Sequence, residues 1–65
     1  MKLNEFPVGC TENGTTLYVD VAAATSQEAQ AFIELNRPRL DIIHVGESLG
    51  EVKVPKPMIM RLRAS

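Results

Sequence analysis

The segment TSQEAQAFIELNRP, Thr25–Pro38, carries a helix start, a helical repeat and a helix stop in succession. Thr25 is placed to cap the first turn. Glu28 follows at the spacing of a capping box, so both side chains satisfy amide donors that would otherwise go unpaired. Glu28 also sits near the positive end of the helix dipole. Ala29, Phe32, Ile33 and Asn36 follow the i, i+3, i+4, i+7 series, and Leu35 widens the apolar stripe. Gln27, Gln30 and Glu34 fall away from it. Pro38 disfavours helix at Arg37, so the helix should end near Asn36. About three turns do not hold as an isolated helix in water. The stripe must therefore be buried against a sheet or another chain, with Phe32 and Ile33 deepest.

Upstream, Met1–Ala24 reads as a β-hairpin. Asn13-Gly14 is the preferred pair for a two-residue type I′ turn, whose central positions both need positive φ. That turn sets the register: Cys10 faces Leu17, Val8 faces Val19, and Phe6 faces Val21, all on one face. Pro7, Gly9, Thr11, Thr16, Tyr18 and Asp20 take the other face. A slip of one residue would scramble this sorting. Pro7 has no N–H to give a neighbouring strand. It suits an edge strand or a bulge and counts against a central first strand.

Downstream, Leu40–Pro55 reads as a second hairpin around the loop Glu47-Ser48-Leu49-Gly50, pairing Val45 with Val52 and Ile43 with Val54. His44 then faces Lys53, and Gly50 closes the loop at positive φ. A three-residue loop is the alternative. Pro55-Lys56-Pro57 interrupts the pattern. Met58–Arg63 alternates again, with Met58, Met60 and Leu62 on one side and Ile59, Arg61 and Arg63 on the other. It is either a resumption of the fourth strand or a short fifth one.

These elements predict a single α+β domain over residues 1–65, a two-layer ββαββ arrangement with one helix on a mostly antiparallel sheet of four or five strands. The order of elements resembles a β-grasp domain, as in ubiquitin-like and sulfur-carrier proteins. The chain ends Arg63-Ala64-Ser65 rather than in the Gly-Gly of those carriers, so the resemblance implies an architecture and not the carrier activity.

A chain of 65 residues buries only roughly 60% of its unfolded surface. An apolar fraction of 45% supports a globular domain rather than disorder. With no Trp, one Tyr and two Phe, the core must come from Val, Ile, Leu, Met and Ala. A core this light makes homodimerisation a natural way to add buried area. The single Cys10 excludes an internal disulfide and a cysteine zinc cluster. No apolar run approaches the roughly 20 residues that span a bilayer, and the N-terminus lacks a basic-then-apolar signal pattern. A cytoplasmic protein with no membrane contact is expected. The formal charge of −1 provides no overall basic field for nucleic acid.

Candidate chemistry is sparse. Cys10 alternates in phase with Phe6 and Val8 and reads as a buried, inert thiol rather than a nucleophile. His44 is the one imidazole, too few for a metal site, and no nucleophile-elbow motif accompanies it. Asp20, Asp41, Glu47 and Glu51 read as solvated charges rather than a hydrolytic pair. The glycines fit no phosphate-binding loop. Neither a catalytic group, a metal nor a cofactor is expected.

One charge asymmetry stands out. Lys53, Lys56, Arg61 and Arg63 make the C-terminal third basic, and Glu5, Glu12, Asp20, Glu28 and Glu34 make the first half acidic. The basic residues serve either as a small phosphate- or acid-binding patch or as protection of an edge strand. Met58, Ile59 and Met60 either fill the core or form an adaptable interface. Tyr18, on the face away from the core, is a partner anchor or a cross-strand cover.

The expected function is a small non-catalytic module that binds a partner protein, as a homodimer, through Tyr18, Met58, Met60, Arg61 and Arg63. In size and layout the chain is similar to small phage-encoded inhibitors of host defence, anti-CRISPR proteins among them. That resemblance implies action by occluding a host complex. A nucleic-acid-associated protein using the basic C-terminal strand is the alternative.

Overall fold

A computed structural model describes residues 2–64; Met1, assigned to the first hairpin, and Ser65 of the C-terminal tail lie outside the described residues. The chain runs β1 (Leu3–Glu12), β2 (Thr15–Ala23), α1 (Ser26–Asn36), β3 (Asp41–Val45), β4 (Glu51–Val52) and β5 (Met58–Ala64). The strands form one sheet of order β3-β1-β2-β5, with β4 also on β1, and every pairing is antiparallel. Helix α1 packs on one face, giving the two-layer α+β fold expected from the sequence. The likeness to a β-grasp stops at element order, because β2 separates the first strand from the last.

The hairpin forms as its turn chemistry dictates. Asn13 and Gly14 both take positive φ, 51° and 78°, the type I′ requirement. Phe6 pairs with Val21, Val8 with Val19, and Cys10 with Leu17. Phe6, Val8, Cys10, Val19 and Val21 are buried in one cluster with Ala29 and Ile33 of the helix.

Helix α1 starts and stops as its caps predict. Thr25 is extended, and its Oγ1 accepts from the Glu28 amide at 3.1 Å. Glu28 Oε1 in turn accepts from the Ala24 amide at 3.1 Å, one residue earlier than a standard capping box. Ala29 and Ile33 are fully buried, whereas Phe32 is half-buried and Leu35 is 82% exposed. The predicted stripe is therefore too wide. The helix sits mainly over β3, β1 and β2 and reaches β5 least, so Phe32, at the edge of the core cluster, lines a hollow toward β5.

The expected second hairpin does not form. Val45 pairs with Val8, and Val52 with Leu3, so β3 and β4 lie end to end along the same edge of β1. Strand β1 is consequently central despite Pro7. The interruption between β3 and β4 explains why that is tolerated. The Pro7 nitrogen faces this edge, and at Pro7 the edge consists of loop rather than strand. The Gly46 amide donates to the Pro7 carbonyl at 2.8 Å, Leu49 donates to Glu5 at 2.7 Å, and Glu5 donates to Gly50 at 2.9 Å. A Cβ on Gly46 would lie 2.9 Å from Pro7 Cγ, so any larger residue there would force the loop or the proline ring to shift.

Met58–Ala64 is a separate fifth strand paired with β2. A bulge falls between the pairs Asp20–Arg61 and Val21–Ile59, and Met60 is the extra residue. The simple alternation predicted for this strand therefore fails. Ile59 and Leu62 share the helix side with Val21 and Val19, while Met58, Arg61 and Arg63 share the open face with Ala22, Asp20 and Tyr18.

Two stability outcomes follow from this packing. Ile33→Ala should cost about 2–5 kcal/mol, and the half-buried Phe32→Ala distinctly less than its usual 3–5 kcal/mol, both read by urea denaturation. Gly46→Ala should cost about 1–3 kcal/mol through overpacking. That cost should largely vanish when measured against a Pro7→Ala background, as a double-mutant cycle would show.

Candidate functional site

The open face of the sheet, opposite α1, carries most of the polar side chains that the strands bring together. Across it run His44 of β3, Gly9 of β1, Tyr18 of β2 and Arg63 of β5, each directly opposite the next. Gly9 is what allows this row to close up. A Cβ there would sit 2.7 Å from His44 Cε1 and 3.4 Å from Tyr18 Cε1. In its absence the His44 and Tyr18 rings meet edge to face, 6.0 Å between centroids and 76° between planes. The Arg63 guanidinium lies 5.5 Å from the centre of the Tyr18 ring, within cation–π range.

Beside this row lies a four-residue ionic cluster. Arg63 Nη2 donates to Asp20 Oδ1 at 2.8 Å. Arg61 Nε lies 3.4 Å from both Asp20 Oδ2 and Glu5 Oε2. The Asp20 side chain is only 2% exposed and that of Glu5 10%, so the arginines supply their main compensation for lost hydration. The Asp20 hydrogen bond, helped by the charges of Asp20 and Glu5, holds the Arg63 guanidinium even more firmly protonated than usual, against the opposing effect of lost hydration. Two cations meet two carboxylates, so the cluster is neutral as a whole. Asp20 was expected to be a solvated charge. It is buried because the bulge at Met60 turns Arg61 and Arg63 onto its face.

Of the expected binding residues, Tyr18, Arg61 and Arg63 are thus brought together. Met58 opens β5 opposite Ala22 and is 38% exposed, and Met60 is half-buried in the bulge. The sequence reading placed Asp20 on the same face as Tyr18 and His44 on a polar sheet face but gave neither a binding role, and it missed Glu5 there. The available signal was the register of the first hairpin, which already put Asp20 beside Tyr18. The pairing of β2 with β5 carried no local signal.

Elsewhere, Cys10 is fully buried, and burial pushes its thiol pKa up, away from the reactive thiolate. Among the described residues no three His, Cys, Asp or Glu side chains gather as a metal site would require. No helix among them is long and apolar enough to cross a membrane.

If the cluster holds β5 to β2, Asp20→Asn should lower the melting temperature by at least about 4 °C, and Glu5→Gln by less, because Glu5 has one arginine and Asp20 two. Equal, negligible effects in a thermal melt would show the cluster to be surface decoration.

No protein-family model, curated protein or solved structure matches this chain.

Proposed function

We propose that this chain is a small non-catalytic protein-interaction module that self-associates through β5. The observation that carries the reading is the state of that strand's outer edge. Strand β5 ends the sheet, runs seven residues and offers unpaired backbone groups along its length. Charged side chains normally keep such an edge from pairing with another strand. Here Arg61 and Arg63 are drawn back over the sheet by Asp20 and Glu5 and are neutralised there. Apolar groups remain beside the edge, with Leu62 60% exposed and Met58 38% exposed. A second copy related by a two-fold axis would extend the sheet strand to strand and bring these apolar groups beside their mates across the seam.

The same ion pairs weigh against a nucleic-acid role, since the two arginines it would rely on already have carboxylate partners. Inhibition of a host defence complex, the activity suggested by the chain's size and layout, is one use of such a module, and it would act by occlusion rather than chemistry.

Sedimentation at micromolar concentration should give a dimer. Leu62→Lys, at a position exposed enough to accept the charge in a monomer, should shift it to monomer, as should Met60→Glu. A wild-type monomer would remove the reading. Retention on DNA at physiological salt that falls steeply as salt rises and disappears in Arg61→Glu would replace it with the nucleic-acid alternative.

A further inference from the structure

The helix side of β5 holds a second feature. Between α1 and β5 runs a groove of two hollows that share Asn36 and Arg37. Its apolar lining includes Phe32, Leu17, Leu40, Met58, Ile59 and Leu62. Around it stand Arg37, Arg39 and Lys56, all exposed and, among the described residues, in no ion pair. Glu12, at one end, is the only carboxylate in the lining. A chain with a net charge of −1 thus concentrates uncompensated cations around an apolar floor. The arginines of the opposite face, by contrast, are neutralised.

The width of this floor decides what can fill it. An uncovered strand adds about 5 Å of sheet, whereas a helix packed beside another needs 8–10 Å between axes. One protomer offers half a helix's width. Antiparallel pairing of β5 with its two-fold mate keeps both helices on the same side of the continuous sheet. The two half-grooves then join into one trough, floored by Ile59 and Leu62 of both copies and bordered by both sets of cations.

We infer that this joined trough is a docking site for one amphipathic helix of a partner protein, with an apolar stripe and carboxylates on both of its flanks. The occupant's chemistry follows from the lining: the stripe replaces water on the floor, and the flanking carboxylates meet Arg37, Arg39 and Lys56 on either side. The inference rests on the proposed β5 pairing, and the site is incomplete in one copy.

The probe is a fluorescein-labelled synthetic helix with a narrow leucine stripe and glutamates on both flanks. A control peptide carries lysines in place of the glutamates. Anisotropy and sedimentation are read on the same samples. The acidic peptide should bind one per two chains and at least about tenfold tighter than the basic one. Lys56→Glu and Arg37→Glu, both at exposed positions, should weaken it at least about tenfold while leaving the dimer intact; Leu62→Lys should abolish dimer and binding together. A dimer that shows no preference for the acidic peptide, or binding indifferent to Lys56→Glu and Arg37→Glu, overturns the trough and leaves the self-association standing. One acidic peptide bound per chain overturns the shared site, and a monomer in the sedimentation of the same samples overturns the pairing with it.

Discussion

Positive φ at two adjacent residues, Asn13 and Gly14, is the constraint on which the remaining structure depends. It closes a two-residue turn of the hand that matches strand twist, and so locks β1 against β2 in a single register. Every later element is added to that pair. Strands β3 and β4 take the free edge of β1, β5 takes the free edge of β2, and α1 covers the apolar face that the register creates. Because side chains alternate with period two, a slip of one residue would bring Tyr18 and Asp20 into the core and expose Val19 and Val21.

The two faces of this hairpin are finished by different physics. On one, Ile33 and Ala29 complete an apolar cluster, and their burial holds a helix too short to persist alone. On the other, no helix is present; Leu3 and Ala22 are buried there as apolar residues, and the buried carboxylates are accommodated by ion pairing. Asp20 and Glu5 lose most of their hydration and recover it as contacts with Arg61 and Arg63. Such a cluster adds little net stability compared with an apolar core, but removing any one member leaves its charge unbalanced. It ties β5 to the hairpin and disarms the strand's own edge protection. That joint effect makes β5 both a structural strand and a candidate interface.

Irregularities in the sheet sit beside the candidate surfaces. The loop over Pro7 breaks one edge into two short strands. A bulge between Gly9 and Cys10 separates His44 from Ile42 and leaves Ile43 57% exposed. The bulge at Met60 aims both arginines at Asp20. At each of the two bulges one extra residue reverses which face the following side chains occupy.

The sequence alone determined what depends on near neighbours. The turn at Asn13-Gly14, the register of the first hairpin, the cap at Thr25, the helix end at Asn36 and the burial of Cys10 all follow from interactions within a few residues, or across one tight turn. It did not determine strand partners beyond that hairpin. Val45 and Val52 have the pattern of a hairpin pair and nothing local forbids it, yet both pair with the free edge of β1, Val45 opposite Val8 and Val52 opposite Leu3. Nor could alternation foresee the ion cluster, since a bulge of one residue shifts every side chain after it and is set by the partner strand. The half-burial of Phe32 was likewise decided by where the helix comes to rest, over β3, β1 and β2. Tertiary packing settles these points because they are choices among non-local pairings whose local costs are nearly equal, and only the assembled sheet separates them.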